Sequence, residues 1–186
     1  AWTPDAKGIY YSRFDEPAAG TKFQGLNLNQ KVYFHKVGTA QSEDKLIYKR
    51  PDHPEWGFQT EVTEDGKYLL ITTWKGTDHN YRVTYFDLTK KDSQPVDLID
   101  NFDNEYSLVG NEGSTLYFKT NYKAALHRVV SISLEKPEPA NWVEVIPETK
   151  EALQGASLFG KQLIASYLKD ARTLVRMFSL DGKTSS

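Results

Sequence analysis

Four times along this chain a glycine follows a short polar stretch and opens a hydrophobic strand. The four are Asp5-Ala6-Lys7-Gly8-Ile9-Tyr10-Tyr11, Asp65-Gly66-Lys67-Tyr68-Leu69-Leu70-Ile71, Glu112-Gly113-Ser114-Thr115-Leu116-Tyr117-Phe118 and Gly160-Lys161-Gln162-Leu163-Ile164-Ala165. Their glycines fall 58, 47 and 47 residues apart. A period of roughly 40–50 residues with strand-and-turn chemistry is the mark of a β-propeller blade. Each unit of such an array cannot bury its own apolar faces alone, so the repeat constrains the whole architecture.

The segment after each glycine serves as strand B of a blade. A strand C follows it at Lys31–His35, Arg82–Leu88, Arg128–Leu134 and Leu174–Leu180, where apolar residues tend to alternate as a packed sheet requires. A strand D comes next at Lys45–Tyr48, Val96–Ile99 and Trp142–Ile146. A strand A precedes the next glycine turn at Phe58–Val62, Tyr106–Val109 and Ala156–Leu158, and Ala1-Trp2-Thr3 is the tail of an earlier one. The order is B-C-D, A-B-C-D, A-B-C-D, A-B-C, with blades at about 1–54, 55–103, 104–150 and 151–186. Asp181-Gly182 reads as a hairpin turn with no strand D behind it. The longest B–C loop, Ser12 to Gln30, accounts for the wide first spacing. A generic meander or sandwich could place turns at similar intervals. The joint repetition of loop order and strand order favours the propeller. The only helical signal is one possible turn at Thr149–Leu153, and the proline-flanked stretches Arg50–Pro54 and Glu135–Pro139 read as loops.

Composition narrows the partners. The net charge is −2, and no basic block marks a nucleic-acid footprint. No apolar run approaches the roughly 20 residues of a membrane-spanning helix. The first residues do not read as a signal peptide. Cysteine is absent, which excludes disulfides and thiolate metal ligands. The histidines His35, His53, His79 and His127 lack metal-ligand spacing, and no cofactor motif is found. Gly155-Ala156-Ser157-Leu158-Phe159 lacks the second glycine of a nucleophile elbow, so Ser157 reads as an ordinary strand serine. Asp97, Asp100, Asp103 and Glu105 read as a solvated connector making local turns, not a calcium loop. The loop Trp74-Lys75-Gly76-Thr77-Asp78-His79-Asn80 carries groups that suit a binding rim, or it simply turns the chain.

Several stretches resemble prolyl oligopeptidases (prolyl endopeptidases). They are Gly38-Thr39-Ala40-Gln41-Ser42-Glu43-Asp44, Glu61–Tyr68, Leu98–Tyr106, and Asn111-Glu112-Gly113 followed by Phe118-Lys119-Thr120-Asn121, with Ala1–Gly8 similar to a blade start. The resemblance covers essentially the whole chain in order. It implies an all-β partial propeller, nearly four blades of a seven-bladed ring. In the parent enzyme that ring would cover an α/β-hydrolase domain carrying a Ser-Asp-His triad. It would exclude folded proteins and admit short proline-containing peptides, in the cytoplasm or periplasm. No hydrolase domain and no catalytic residue are legible in this chain, which is expected to be inactive alone. The resemblance implies substrate-facing positions at Gly57, beside Trp56, where some members carry methionine, and at Thr77, in the loop opened by Trp74, where some carry cysteine. The alternative is a propeller segment of a non-enzymatic interaction scaffold, although the signatures of the WD40 type are missing. End blades with an uncovered apolar face, from strands such as Ile9-Tyr10-Tyr11 and Leu163-Ile164-Ala165, are expected to make the isolated chain self-associate.

Overall fold

The computed structural model describes residues 1–16 and 26–185, so part of the long first B–C loop lies outside the described residues. The chain forms two compact units, Ala1–Phe102 and Asp103–Ser186.

The first unit holds two antiparallel meanders. One is β1 (Gly8–Arg13), β2 (Lys31–Lys36) and β3 (Lys45–Lys49), paired in that order. The other is β4 (Trp56–Val62), β5 (Tyr68–Lys75), β6 (Arg82–Asp87) and β7 (Val96–Ile99), also in chain order. Tyr10, Val32 and Tyr48 of the first sheet pack with Trp56, Phe58, Leu69, Ile71 and Phe86 of the second. Gln30 sits at this core, and its Oε1 accepts the Phe58 N–H at 2.5 Å. That bond satisfies a buried amide that would otherwise be left without a partner.

The second unit repeats the plan. Strands β8 (Tyr106–Glu112), β9 (Thr115–Thr120), β10 (Arg128–Ser133) and β11 (Val143–Ile146) form one sheet. Strands β12 (Ala152–Phe159), β13 (Gln162–Lys169), β14 (Arg172–Ser179) and β15 (Thr184–Ser185) form the other. Their shared core contains Tyr117, Val129, Val145 and Ile146 on one side and Leu153, Leu163, Ala165 and Tyr167 on the other.

The repeat extends to individual residues. Val32, Val83 and Val129, one on each of the first three strands C, are all fully buried. Each pairs with Tyr48, Ile99 or Ile146 of its strand D, and in each case the register then slips. The slip leaves Ile47, Leu98 and Val145 as the extra residues of a β-bulge. A bulge at this place twists the outermost strand and blunts its free edge.

Four sequence expectations change. Gly8 is not the turn residue of its repeat: it lies within β1, where the Phe34 ring would stand 2.3 Å from an added Cβ. The left-handed position of that turn is taken by Ala6 at φ 55°, equivalent to Gly66 at φ 72°. Thr3 and Asp5 brace the first turn through the same hydrogen bonds that Thr63 and Asp65 make in the second. This bracing lets a non-glycine residue occupy αL. The hairpin at Asp181-Gly182 does lead into a strand, because β15 pairs with β14. Residues 149–153 form no helical turn; Thr149 instead bonds the Glu151 carbonyl, and β12 starts at Ala152. The described residues include two short 3-10 turns, at Gln41–Glu43 and Pro139–Asn141.

Candidate functional site

Trp56 and Gly57, just ahead of the strand A read at Phe58–Val62, belong to the strand: they open β4, paired with Lys75 and Trp74 of β5. Both are buried. The reason is steric. A Cβ on Gly57 would lie 2.3, 2.4 and 2.7 Å from Cε2, Cζ2 and Nε1 of Trp74, so the half-buried indole lies directly on the bare backbone. Gly57 makes the slot and Trp74 fills it. A glycine inside a strand often marks such a close approach. Thr77 lies three residues beyond Trp74, exposed in the β5–β6 turn next to Gly76 at φ 58°. The structure therefore brings Trp56, Gly57 and Trp74 together where β4 and β5 pair, with Thr77 in the turn that follows.

Trp56 is only 6% exposed because other groups cover it. The His53 ring stacks on its indole with centroids 3.8 Å apart and planes 4° from parallel. The guanidinium groups of Arg50 and Arg82 lie 4.5 and 5.2 Å from its centroid. Phe102 meets it edge-on at 5.2 Å, and the Lys75 ammonium sits 4.9 Å above Phe102. Cations over aromatic faces are attracted to the ring quadrupole. The stack arises locally. His53 N–H donates to the Arg50 carbonyl and Trp56 N–H to the His53 carbonyl, at 3.0 and 3.1 Å. Two successive turns of this kind bring residues 50, 53 and 56 to one side. The Arg-x-x-His-x-x-Trp spacing carries that signal in the sequence, but the prolines at 51 and 54 mask it as a plain loop.

The charges are braced. Arg50 donates to both oxygens of Asp52, and that pairing holds the Asp52 carboxyl down at about 2. Arg82 pairs with Asp97 at 3.2 Å and also donates to the Asp100 carbonyl. Two members of the acidic stretch are thus engaged at this end of the second sheet. In the other unit Glu105 pairs with His127 at 3.0 Å. Ser157 lies on β12, exposed and paired with Ile164. Among the described residues no group of three or more His, Asp or Glu could hold a metal ion.

The motif Gly38–Asp44 lies at the β2–β3 hairpin of the first sheet. The Asp44 carboxylate is 1% exposed, accepting the Tyr11 hydroxyl at 2.5 Å and facing His35 Nδ1 at 2.6 Å. Gln41 donates to the Tyr11 oxygen at 3.2 Å, and Ala40 N–H donates to Glu43 at 3.3 Å. Through Gln41 and Asp44 the hairpin is tied to Tyr11 of strand β1, while Glu43 braces the hairpin itself.

The family model described as "Prolyl oligopeptidase, N-terminal beta-propeller domain" matches residues 1–186. The chain belongs to this family. It is 38% identical to prolyl oligopeptidase A of Amanita bisporigera, over 91% of this chain and 23% of that protein. It is 33% identical to a prolyl endopeptidase of Elizabethkingia miricola, over 98% of this chain and 25% of that protein. Among solved structures it is similar to prolyl oligopeptidase B of Galerina marginata bound to a 35mer hydrolysis and macrocyclization substrate. That match has a TM-score of 0.90 at 29% identity and covers all of this chain and 26% of that one. The chain thus spans about a quarter of the length of the prolyl oligopeptidase relatives it matches. Its antiparallel sheets are those of a partial β-propeller of the prolyl oligopeptidase type.

Proposed function

We infer that this chain is the access-restricting propeller portion of a prolyl oligopeptidase-like serine peptidase. In the whole protein it packs with an α/β-hydrolase domain and limits entry to short proline-containing peptides. The observation that carries this reading is the family match along the full 1–186 range. The partly exposed Trp74 indole, seated on Gly57 beside the buried Trp56, and the exposed Thr77 turn supply a substrate-facing surface. An indole on bare backbone is rigid, and an exposed threonine beside it is adjustable. Rigid aromatics next to adaptable polar groups suit peptide recognition.

The test uses a full-length enzyme carrying this segment. Thr77→Trp should change kcat/KM for longer peptides more than for minimal proline substrates. An equal effect on both, or none, would leave the turn without a role in access. Among the described residues no nucleophile, base and oxyanion arrangement is recognisable, so the isolated chain should not hydrolyse a proline-containing chromogenic peptide. Turnover that survives repurification and a contaminating-peptidase control would refute this second expectation.

A further inference from the structure

One end of the first sheet sets two lysines side by side. Lys31, which opens β2, and Lys49, which ends β3, stand directly opposite each other in the antiparallel register. Directly opposite side chains share a face, with Cβ atoms roughly 4.5–5.5 Å apart, and like charges so placed repel. Asp15 neutralises one of the two, because Lys31 Nζ donates to both of its carboxylate oxygens at 2.6 Å. Lys49 is exposed and makes no ion pair among the described residues. The pair therefore leaves a single positive charge unspent.

A hollow of about 220 Å³ opens at this place, lined by residues 29–31 and 49–51 together with Asp15. Sites for drug-sized ligands run to roughly 300–1,000 Å³, so this one suits a single small group. Gln30 brings a fixed donor to it. The residue is 9% exposed, and its Oε1 is committed to the Phe58 N–H. An N–H can only donate, so the amide cannot be turned round. The Nε2 group, on the other branch of that amide, has no acceptor among the described residues, and Gln30 lines the hollow whereas Phe58 does not. A buried donor without an acceptor is costly, and native structures rarely leave one so. The wall that carries it is anchored, because the Asn29 N–H donates to the Pro54 carbonyl at 2.7 Å.

We propose that this hollow binds one carboxylate group, with the Lys49 ammonium as its counter-charge and the Gln30 Nε2 as a neutral hydrogen-bond donor. The charge count selects the class. Lys31 is spent on Asp15 and Arg50 on Asp52, so both build the wall without adding net charge. A phosphate monoester, with about −1.5 to −2 near pH 7, exceeds what one free ammonium offsets. Water alone would satisfy the amide; the unspent charge beside it favours an anion. The carboxylate can belong to a small free acid or to a peptide, and the chemistry that holds it is the same.

The probe is sodium propionate, titrated at constant ionic strength into the isotope-labelled chain while NMR follows the Gln30 side-chain amide. Its Nε2 protons should shift downfield and saturate, with backbone shifts confined to residues 29–31, 49 and 50. Lys49→Gln, a change at an exposed position, should weaken binding roughly tenfold, since it removes the only charge without a partner. Gln30→Glu keeps an oxygen for the Phe58 N–H but replaces the donor with a carboxylate oxygen, and should abolish binding. The Lys49 variant carries the test whatever the buried change does to folding. An acetylated, amidated peptide with one central glutamate separates the sources: tighter binding than propionate assigns the group to a peptide, equal binding to a free acid, and either upholds the site. The proposal fails if propionamide or ethyl phosphate binds as well as propionate, if the Gln30 amide does not move, or if Lys49→Gln leaves the affinity unchanged.

Discussion

The Gly57–Trp74 slot makes a quantitative claim that a double-mutant cycle can test. The Gly57 backbone is not in the left-handed region, so alanine there meets no backbone strain. The only obstacle is the indole, whose nearest atom would stand 2.3 Å from the new Cβ. Carbon atoms in contact sit at about 3.5–4.0 Å, so the ring must retreat by roughly 1.2–1.7 Å. Overpacking of this kind costs about 1–3 kcal/mol. Removing glycine's freedom from the unfolded chain returns about 0.4–1 kcal/mol. Gly57→Ala alone should therefore destabilise by about 0–2.5 kcal/mol. In a Trp74→Ala background the obstacle is gone, and the same change should stabilise by about 0.4–1 kcal/mol. The glycine term cancels between the two backgrounds, so the coupling is about 1–3 kcal/mol, within the range for residues in contact. Urea unfolding followed by far-UV circular dichroism on the four proteins measures it. If Gly57→Ala costs the same in both backgrounds, the slot is not what requires glycine here, and the argument for a rigid indole at the candidate site falls with it.

Burial works to raise the Asp44 carboxyl, but the hydrogen bonds from Tyr11 and His35, with Arg13 nearby, together hold it below the usual carboxylate range. A depressed folded-state pKa contributes stability that is complete above the unfolded value of about 3.9 and is lost as pH falls through the folded value. Asp44→Asn should therefore flatten the acid limb of the thermal-melt profile below about pH 4; an unchanged limb would exclude the hairpin tie as a source of acid sensitivity. Gly182 has φ 80°, and a Cβ there would meet the Val145 carbonyl oxygen at 2.3 Å, whereas Gly113 at φ 57° has open space around it. Gly113→Ala should cost about 1–2 kcal/mol from the left-handed backbone alone, and Gly182→Ala clearly more; equal denaturation midpoints would show that the backbone contact yields freely. The face of the β12–β15 sheet opposite its core exposes Ile164, Leu168 and Val175. Sedimentation equilibrium of the isolated chain should show association that Val175→Glu reduces, and a clean monomer at high micromolar concentration would rule it out.

The end faces show why side-chain partners matter as much as pattern. Both end sheets were expected to be apolar. In the first sheet, Tyr10 turns into the core while the opposite face carries Tyr11 stacked on Tyr33, Arg13 over the Tyr33 ring, and His35 on Asp44. Alternation along a strand assigns residues to faces, but it does not say that a tyrosine will spend its hydroxyl on a carboxylate donated by the next hairpin.

The sequence by itself determined the strand order and the repeat, because a two-residue period and glycine turns are local properties of the chain. It also located the family through contiguous motifs such as Gly38–Asp44, although it did not show that Gln41 and Asp44 bond to Tyr11 of strand β1. Tertiary structure decided which residue fills each special position. Ala6 occupies the left-handed site that Gly66 holds in the next repeat, with the same Thr and Asp hydrogen bonds around both turns. Gly8 and Gly57 are small because Phe34 and Trp74 lie on them, from residues 26 and 17 positions further along the chain. A contact between strands depends on register, and register here is set by five bulges and by cores assembled from several strands at once. No local pattern contains that information.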